Sequence, residues 1–307
     1  MNNYIVTTTI NSPTLALKKY STLKNWKLIV VGDLKTPENK YKKLDDIIWL
    51  GIEDQLKISK KLSNLIGWNS IQRRNFGFIL AHKLGAKIIA SVDDDNIPYS
   101  NWGKKILINK KTNINLYKTK DSAFDPLSIF NFNQNIWHRG FPLQLLQKRK
   151  IEKQISKSII PDIQANLWDM APDIDAINRM SLKKENYKFK TFKPYASNKI
   201  APFNSQNTLL SRDVIKNYFM FPHIGRMDDI WASFYVQSLG FKVVYDTATV
   251  YQKRNEHNIY KDFEGELIGY KNNLALLKSL KNNPKNIKKF IPKKTYEAFS
   301  VYKKLFI

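Results

Sequence analysis

Cysteine is absent from the 307 residues, so disulfides and thiolate metal sites are impossible. Histidine is scarce, and His82, His138, His223 and His257 lie too far apart for a local zinc motif. Apolar runs such as Lys27–Val31 and Ile88–Val92 fall far short of the roughly 18 residues a membrane-spanning helix needs. The start, Met1-Asn2-Asn3-Tyr4-Ile5-Val6, lacks the basic and apolar regions of a secretory signal, so a cytoplasmic location is the expectation. There is no Gly-rich dinucleotide fingerprint, no Walker A sequence, no Gly-x-Ser-x-Gly elbow and no His-Glu-x-x-His. Dinucleotide oxidoreductases, P-loop NTPases, esterases and zincins are thereby disfavoured.

Acidic residues are also few: 26 against 51 lysines and arginines, for a formal net charge of +25. Only eight of the basic residues are arginine. Lysine, asparagine and isoleucine, which share A/T-rich codons, are all abundant, so compositional bias accounts for most of the charge. Nucleic-acid binders concentrate basic residues in a stripe with interleaved aromatics. Here the lysines are spread along the whole chain, so no nucleic-acid partner is expected, and a non-catalytic basic nucleic-acid-binding protein is the alternative from a different class. With 43% hydrophobic and 13% aromatic residues, the chain can fill the core of one large domain.

Tyr4–Ile10 reads as a buried strand, followed by a helix around Leu15–Leu23 and strands at Trp26–Val31 and Ile47–Leu50. Ile71, Phe76, Ile79, Leu80 and Leu84 recur at helical spacing before Gly85, a C-cap glycine. Ala86–Val92 is a fourth strand. Near-continuous apolar strands joined by helices predict an α/β fold, a mostly parallel sheet flanked by helices. Prolines 161, 172, 194 and 202 punctuate a less regular second half with an antiparallel extension. A helix over Asp229–Leu239 and a last strand at Phe241–Tyr245 follow. The expected organisation is a catalytic unit over 1–262 and a basic helical extension over 263–307.

The triplet Asp93-Asp94-Asp95 directly follows a buried strand, against the composition of the chain. In open α/β sheets ligands bind beyond the carboxyl ends of the strands. Asp93 and Asp95 there can coordinate a hard divalent cation, Mn²⁺ or Mg²⁺, that bridges a nucleotide diphosphate. A second pair, Asp228-Asp229, opens a helix, where the macrodipole alone favours carboxylates; either can instead act as general base toward an acceptor hydroxyl. Arg73-Arg74-Asn75 stands just before the acidic strand, and guanidinium groups bind phosphate bidentately.

These motifs together resemble the glycosyltransferase-A fold, and specifically the STELLO-like glycosyltransferase family. The likeness is carried by Val30-Val31-Gly32-Asp33, Arg73-Arg74-Asn75-Phe76-Gly77 and Asp93-Asp94-Asp95-Asn96 in the first half. Trp137-His138-Arg139-Gly140, Leu167-Trp168-Asp169-Met170, Asn204-Ser205-Gln206-Asn207 and Arg226-Met227-Asp228-Asp229 extend it across residues 4–262. The order is also similar to the plant reversibly glycosylated polypeptides, which are nucleotide-arabinose mutases. The resemblance implies a nucleotide-sugar donor, a UDP-sugar by expectation, and a carbohydrate, lipid-linked or protein acceptor. It implies the metal at Asp93 and Asp95, a nucleotide site lined by Thr8, Asp33, Arg74, Asn75 and Asp94, and Asp229, rather than Asp228, as the catalytic or acceptor-side carboxylate. Arg139, Trp168, Asp173, Asp175 and Asn207 would shape the sugar and acceptor pocket.

In the mutase-like relatives an arginine after the Arg-Gly-aromatic-Pro motif is self-glycosylated. Leu146 stands there in this chain, with Arg149 out of register, which favours transfer to an external acceptor. At the C-terminus Tyr296, Phe299, Tyr302, Leu305 and Phe306 share one helical face beside Lys293, Lys294, Lys303 and Lys304. That face suits either peripheral contact with an anionic bilayer or packing on the domain.

Overall fold

A computed structural model describes residues 2–132, 135–182, 186–190, 192–252 and 258–306; His257 lies outside them. The strands are β1 (Asn3–Thr8), β2 (Lys27–Val31), β3 (Ile47–Leu50), β4 (Ile88–Val92), β5 (Asn96–Pro98), β6 (Thr112–Lys118), β7 (Lys153–Ile159), β8 (Ile163–Met170), β9 (Tyr195–Ser197), β10 (Asn207–Ser211) and β11 (Val243–Gln252). They form one sheet in the order β3-β2-β1-β4-β10-β8-β11-β9-β6-β7, with β5 paired to β11. The helices are α1 (Leu15–Ser21), α2 (Glu38–Tyr41), α3 (Ile52–Ile66), α4 (Arg74–Lys83), α5 (Ala176–Ser181), α6 (Arg212–Ile215), α7 (Asp228–Ser238), α8 (Ile259–Asn282) and α9 (Lys293–Lys304).

The four N-terminal strands pair in parallel, β3-β2-β1-β4, as their continuous apolar runs require. Val6, Ile29, Val31 and Ile89 face a core completed by Phe76, Phe78 and Ile79 of α4, while Ile5, Leu28, Val30 and Ala90 face a second cluster with Tyr20 and Trp102. Gly77 permits the close approach of α4, since a Cβ there would meet Val6 Cγ1 at 2.3 Å. β10 enters antiparallel between β4 and β8, the extension anticipated for the second half. Helix α3 was not anticipated; it breaks at Ser59, so its apolar spacing is interrupted.

The C-terminal segment packs firmly on the rest. Phe299 stacks on Phe219 with ring centroids 5.5 Å apart, and the Tyr302 hydroxyl donates to the carbonyls of Ile215 (2.8 Å) and Tyr218 (3.1 Å). Phe299 and Tyr302 are buried in the main core, so the heart of this aromatic face is spent on the domain and unavailable to a bilayer. The expected 262/263 boundary lies inside α8. No helix among the described residues is long and apolar enough to cross a membrane.

Candidate functional site

The carboxyl ends of β1, β2 and β4 open into a chamber of about 270 Å³ lined by Thr8–Asn11, Asp33, Asn69–Ile71, Arg74 and Asp93–Asp95. Asp33, in the turn after β2, accepts from the backbone N–H of Leu34 (2.7 Å) and of Ser70 (2.9 Å). Asp94 folds back on the end of β1, accepting from Thr9 Oγ1 (2.5 Å) and Asn11 Nδ2 (3.0 Å). Arg74 reaches up from the first turn of α4, fully buried. Its Nη2 donates to Asp93 Oδ1 (2.6 Å) and Thr8 Oγ1 (3.3 Å), and its Nη1 to the Ser205 carbonyl (3.0 Å).

A second chamber, of about 250 Å³, shares Ile71, Asp93 and Asp95 with the first and continues along Gln72, Arg139, Asp173, Arg179, Ser205, Asp228, Asp229 and Gln252. Met170 closes β8 in the left-handed region at φ 78°, held by reciprocal backbone bonds to Tyr187, and this turn delivers Ala171 and Asp173 to the cleft. Buried Arg139 ties the chamber wall together. It donates to Asp173 Oδ1 (2.7 Å), to Asp229 Oδ1 from both Nη atoms (3.2 Å each) and to the Arg226 carbonyl. Burial alone would raise the Asp173 carboxyl, but the Arg139 charge holds it well below the ordinary carboxylate range. Asp229 also accepts from the backbone N–H (2.9 Å) and hydroxyl (3.1 Å) of Ser205.

Asp228 is different. Among the described residues it receives one side-chain hydrogen bond, from Gln72 Nε2 at 2.7 Å, and burial together with the Asp229 charge pushes it up to about 7 against the pull of Arg139. The turn carrying it is braced from below by α8. A Cβ on Gly225 would lie 2.2 Å from the Gly265 carbonyl and one on Gly269 2.4 Å from Met227 Sδ, so glycine is required for this approach. Asp262 and Glu266 of α8 pair with Arg226 (3.0 Å each).

Asp95 sits where the chambers meet. Burial, then the charges of Asp93 and Asp94, push it up to about 6, and Gln252 Nε2 donates to it at 3.0 Å. A nearby divalent cation would reverse that effect. Among the described residues no three His, Cys, Asp or Glu side chains converge as a complete protein site. Two carboxylates suit an ion that takes its remaining ligands from substrate phosphates and water, as Mg²⁺ commonly does, so Asp93 and Asp95 fit the implied metal.

Several anticipated site residues lie elsewhere. Asn75 clamps Met220, its amide donating to the Met220 carbonyl (2.9 Å) and accepting from its N–H (3.0 Å). Trp168 is buried in the second core cluster and donates its indole N–H to the Ala171 carbonyl at 2.6 Å. Asn207 receives the Trp102 indole N–H at 3.1 Å beneath the sheet end. Asp175 is the N-cap of α5 and accepts from Trp137 Nε1 (2.6 Å); burial pushes it up to about 7 against these bonds. Arg73 points away from the cleft, donating to Gln55 (2.7 Å) and lying 3.8 Å over the Trp68 ring. Sequence reasoning missed Gln72 and Gln252, whose amides meet the raised carboxylates only through contacts 156 and 157 residues long.

Two curated proteins decide the resemblance. The chain is similar to STELLO proteins. It is 23% identical over 225 residues to the probable glycosyltransferase STELLO1 of Arabidopsis thaliana and 24% identical over 231 residues to STELLO2 of the same plant. Each match covers 67% of this chain, which spans about 29% of the length of those relatives. No family model matches. Among solved structures, glucosyl-3-phosphoglycerate synthase of Mycobacterium tuberculosis with phosphoglyceric acid aligns over 91% of this chain and 80% of its own at 10% identity and a TM-score of 0.45. A mannosyltransferase of Pyrobaculum calidifontis with GDP-Man and Mn²⁺ aligns over 98% and 74% at 8% identity and a TM-score of 0.40. The functional reading therefore rests on the chain's own cleft and on the STELLO similarity.

Proposed function

We propose that the chain transfers a sugar from a nucleotide-diphosphate donor to a hydroxyl acceptor. The observation that carries this is the meeting of two chambers at Asp93 and Asp95, with the Asp228-Asp229 pair on the far wall. The similarity to the STELLO proteins supports it. Asp93 and Asp95 would hold Mn²⁺ or Mg²⁺, which when bound supplies positive charge to the departing diphosphate. Thr8, Asp33, Arg74 and Asp94 frame the donor chamber, and Arg74 fixes Asp93 by the 2.6 Å ion pair. A UDP-sugar is the donor to test first.

In the second chamber the hydrogen bonding favours Asp228 over Asp229 as proton acceptor. Both Asp229 oxygens are taken by Arg139 and Ser205, whereas Asp228 has spare lone pairs and a proton affinity near neutrality. The acceptor O–H proton passes to Asp228 as the oxygen attacks the anomeric carbon and the bond to the nucleotide diphosphate breaks. Asp229, Arg139 and Asp173 hold the wall against which the acceptor, a carbohydrate, lipid-linked or protein hydroxyl, is placed. An external acceptor is favoured over the mutase alternative, because Arg149 is paired with Asp125 at 2.5 Å and does not line the cleft. We place the catalytic unit in residues 1–262, braced by the extension 263–307, with α8 running across the division.

The test is donor consumption by the full chain with and without Mn²⁺, beside an Asp93→Ala/Asp95→Ala double variant. Cation-dependent turnover in the unaltered chain and its loss in the variant are expected. Equal cation-dependent turnover in both contradicts the proposal.

A further inference from the structure

The two chambers are separated by a ridge only a few residues wide. Ser70 lines the donor side, Gln72 the acceptor side, and Ile71 both. The Ser70 backbone N–H is anchored on Asp33 Oδ2 (2.9 Å), its hydroxyl donates to Gln72 Oε1, and Gln72 Nε2 donates to Asp228 Oδ2 (2.7 Å). While Asp228 is ionised, the polarity of this hydrogen-bond chain is fixed by chemistry. An ionised carboxylate only accepts, so the Gln72 amide must turn its NH₂ toward Asp228 and its oxygen toward Ser70, which then has to donate. Gln72 comes from the short Ile71–Arg73 turn ahead of α4, whose far side is pinned by Arg73 in the core. Its backbone is thus held on a rigid element while its side chain bridges the cleft.

We propose that Gln72 is a positioning residue for the proposed transfer: steadied by Ser70 from the donor side, its amide aims the Asp228 carboxylate into the acceptor chamber and stabilises its ionised form. This deepens the glycosyl-transfer reading and rests on it. An amide NH₂ offers nothing to a protonated carboxyl oxygen that the ionised form does not receive more strongly, so the contact lowers the proton affinity that burial and Asp229 raise. The other groups facing Asp228 are Asp229 on α7, Arg139 from the loop before Leu143 and the buried Tyr218 phenol after α6. Arg139 is engaged with Asp173 and Asp229, which leaves Gln72 as the side chain hydrogen-bonded to Asp228 among the described residues.

The test is the carboxyl titration of Asp228 by ¹³C NMR in the ligand-free full chain, with its signal assigned by its disappearance in Asp228→Asn. Gln72→Leu is expected to raise the midpoint by about one pH unit, the worth of one hydrogen bond to a charged group. Ser70→Ala keeps the backbone anchor on Asp33 but frees the amide, and is expected to move the midpoint the same way by less. The acid limb of donor turnover should shift in parallel. Midpoints equal to that of the unaltered chain in these variants overturn the inference, and Ser70→Ala decides alone if Gln72→Leu does not fold. A merely structural role would instead lower turnover equally at every pH, with no titration shift. Absence of nucleotide-sugar turnover in the unaltered chain would defeat the transfer reading, and that result is distinct because the titration needs no donor.

Discussion

The two acidic clusters of the cleft follow one plan and end in different states. In each, one carboxylate is locked by a buried arginine: Asp93 by Arg74 at 2.6 Å and Asp229 by Arg139 at 3.2 Å. Its neighbour is instead held by a glutamine amide, Asp95 by Gln252 at 3.0 Å and Asp228 by Gln72 at 2.7 Å. The arginine-locked members are fixed in position, since removing either partner strands a charge. The amide-held members retain the freedom to change charge, and burial pushes them up to about 6 and about 7. What separates them is access: Asp95 opens to both chambers, Asp228 to the second alone.

The strongest way to break this comparison is to remove the locks. Arg139→Leu strands Asp173 and Asp229, both buried, and should cost about 3–5 kcal/mol in equilibrium denaturation. Arg74→Leu should cost less, because the side chain of Asp93 keeps 15% of its exposure; equal losses would erase the distinction between the clusters. Among the amide-held members, Asp95→Ala is expected to lower cation-dependent donor turnover about a thousandfold, several kcal/mol of charge stabilisation. Asp228→Asn should lower transfer at least about a hundredfold while leaving stability at pH 8 unchanged or higher, measured by steady-state kinetics and thermal melts. Unchanged transfer in that variant would remove Asp228 from the reaction.

The smallest effect is on pH dependence. Asp228 and Asp175, both pushed up to about 7, titrate near 3.9 when unfolded. Between those values the folded chain holds protons that the unfolded chain has released, so stability falls as pH rises through that window. Asp173, held low by Arg139, acts oppositely and stabilises less as pH drops below the ordinary carboxylate range. The ligand-free protein should therefore melt highest at about pH 4 and progressively lower toward about pH 7, levelling off above that, with a shallower fall in Asp228→Asn. A melting temperature independent of pH over that range would contradict these proton affinities.

How much was legible in the sequence follows the same division. The parallel strands and the strand-end position of Asp93–Asp95 show as continuous apolar runs broken by charge, a local signal. The helical spacing around Phe76 likewise foretold α4. Which carboxylate of each pair is locked was hidden, because it depends on Arg139 meeting Asp229 across 90 residues and Gln72 meeting Asp228 across 156. Trp168 and Asn207 show the converse. Their motifs stand out locally, yet Trp168 bonds Ala171 and Asn207 receives Trp102, contacts that serve packing. The C-terminal aromatic stripe suits bilayer or core by periodicity; the stacking of Phe299 on Phe219 and the Tyr302 bonds to Ile215 and Tyr218 seat its centre in the core.

Calorimetric titration of a nucleotide sugar in Mn²⁺, run beside transfer assays, tests most directly the claim that the two clusters divide the work. Asp95→Ala is predicted to lose cation-dependent donor binding, and Asp228→Asn to bind donor as the unaltered chain does while transferring little. Donor binding intact in Asp95→Ala, or lost in Asp228→Asn, would contradict the account.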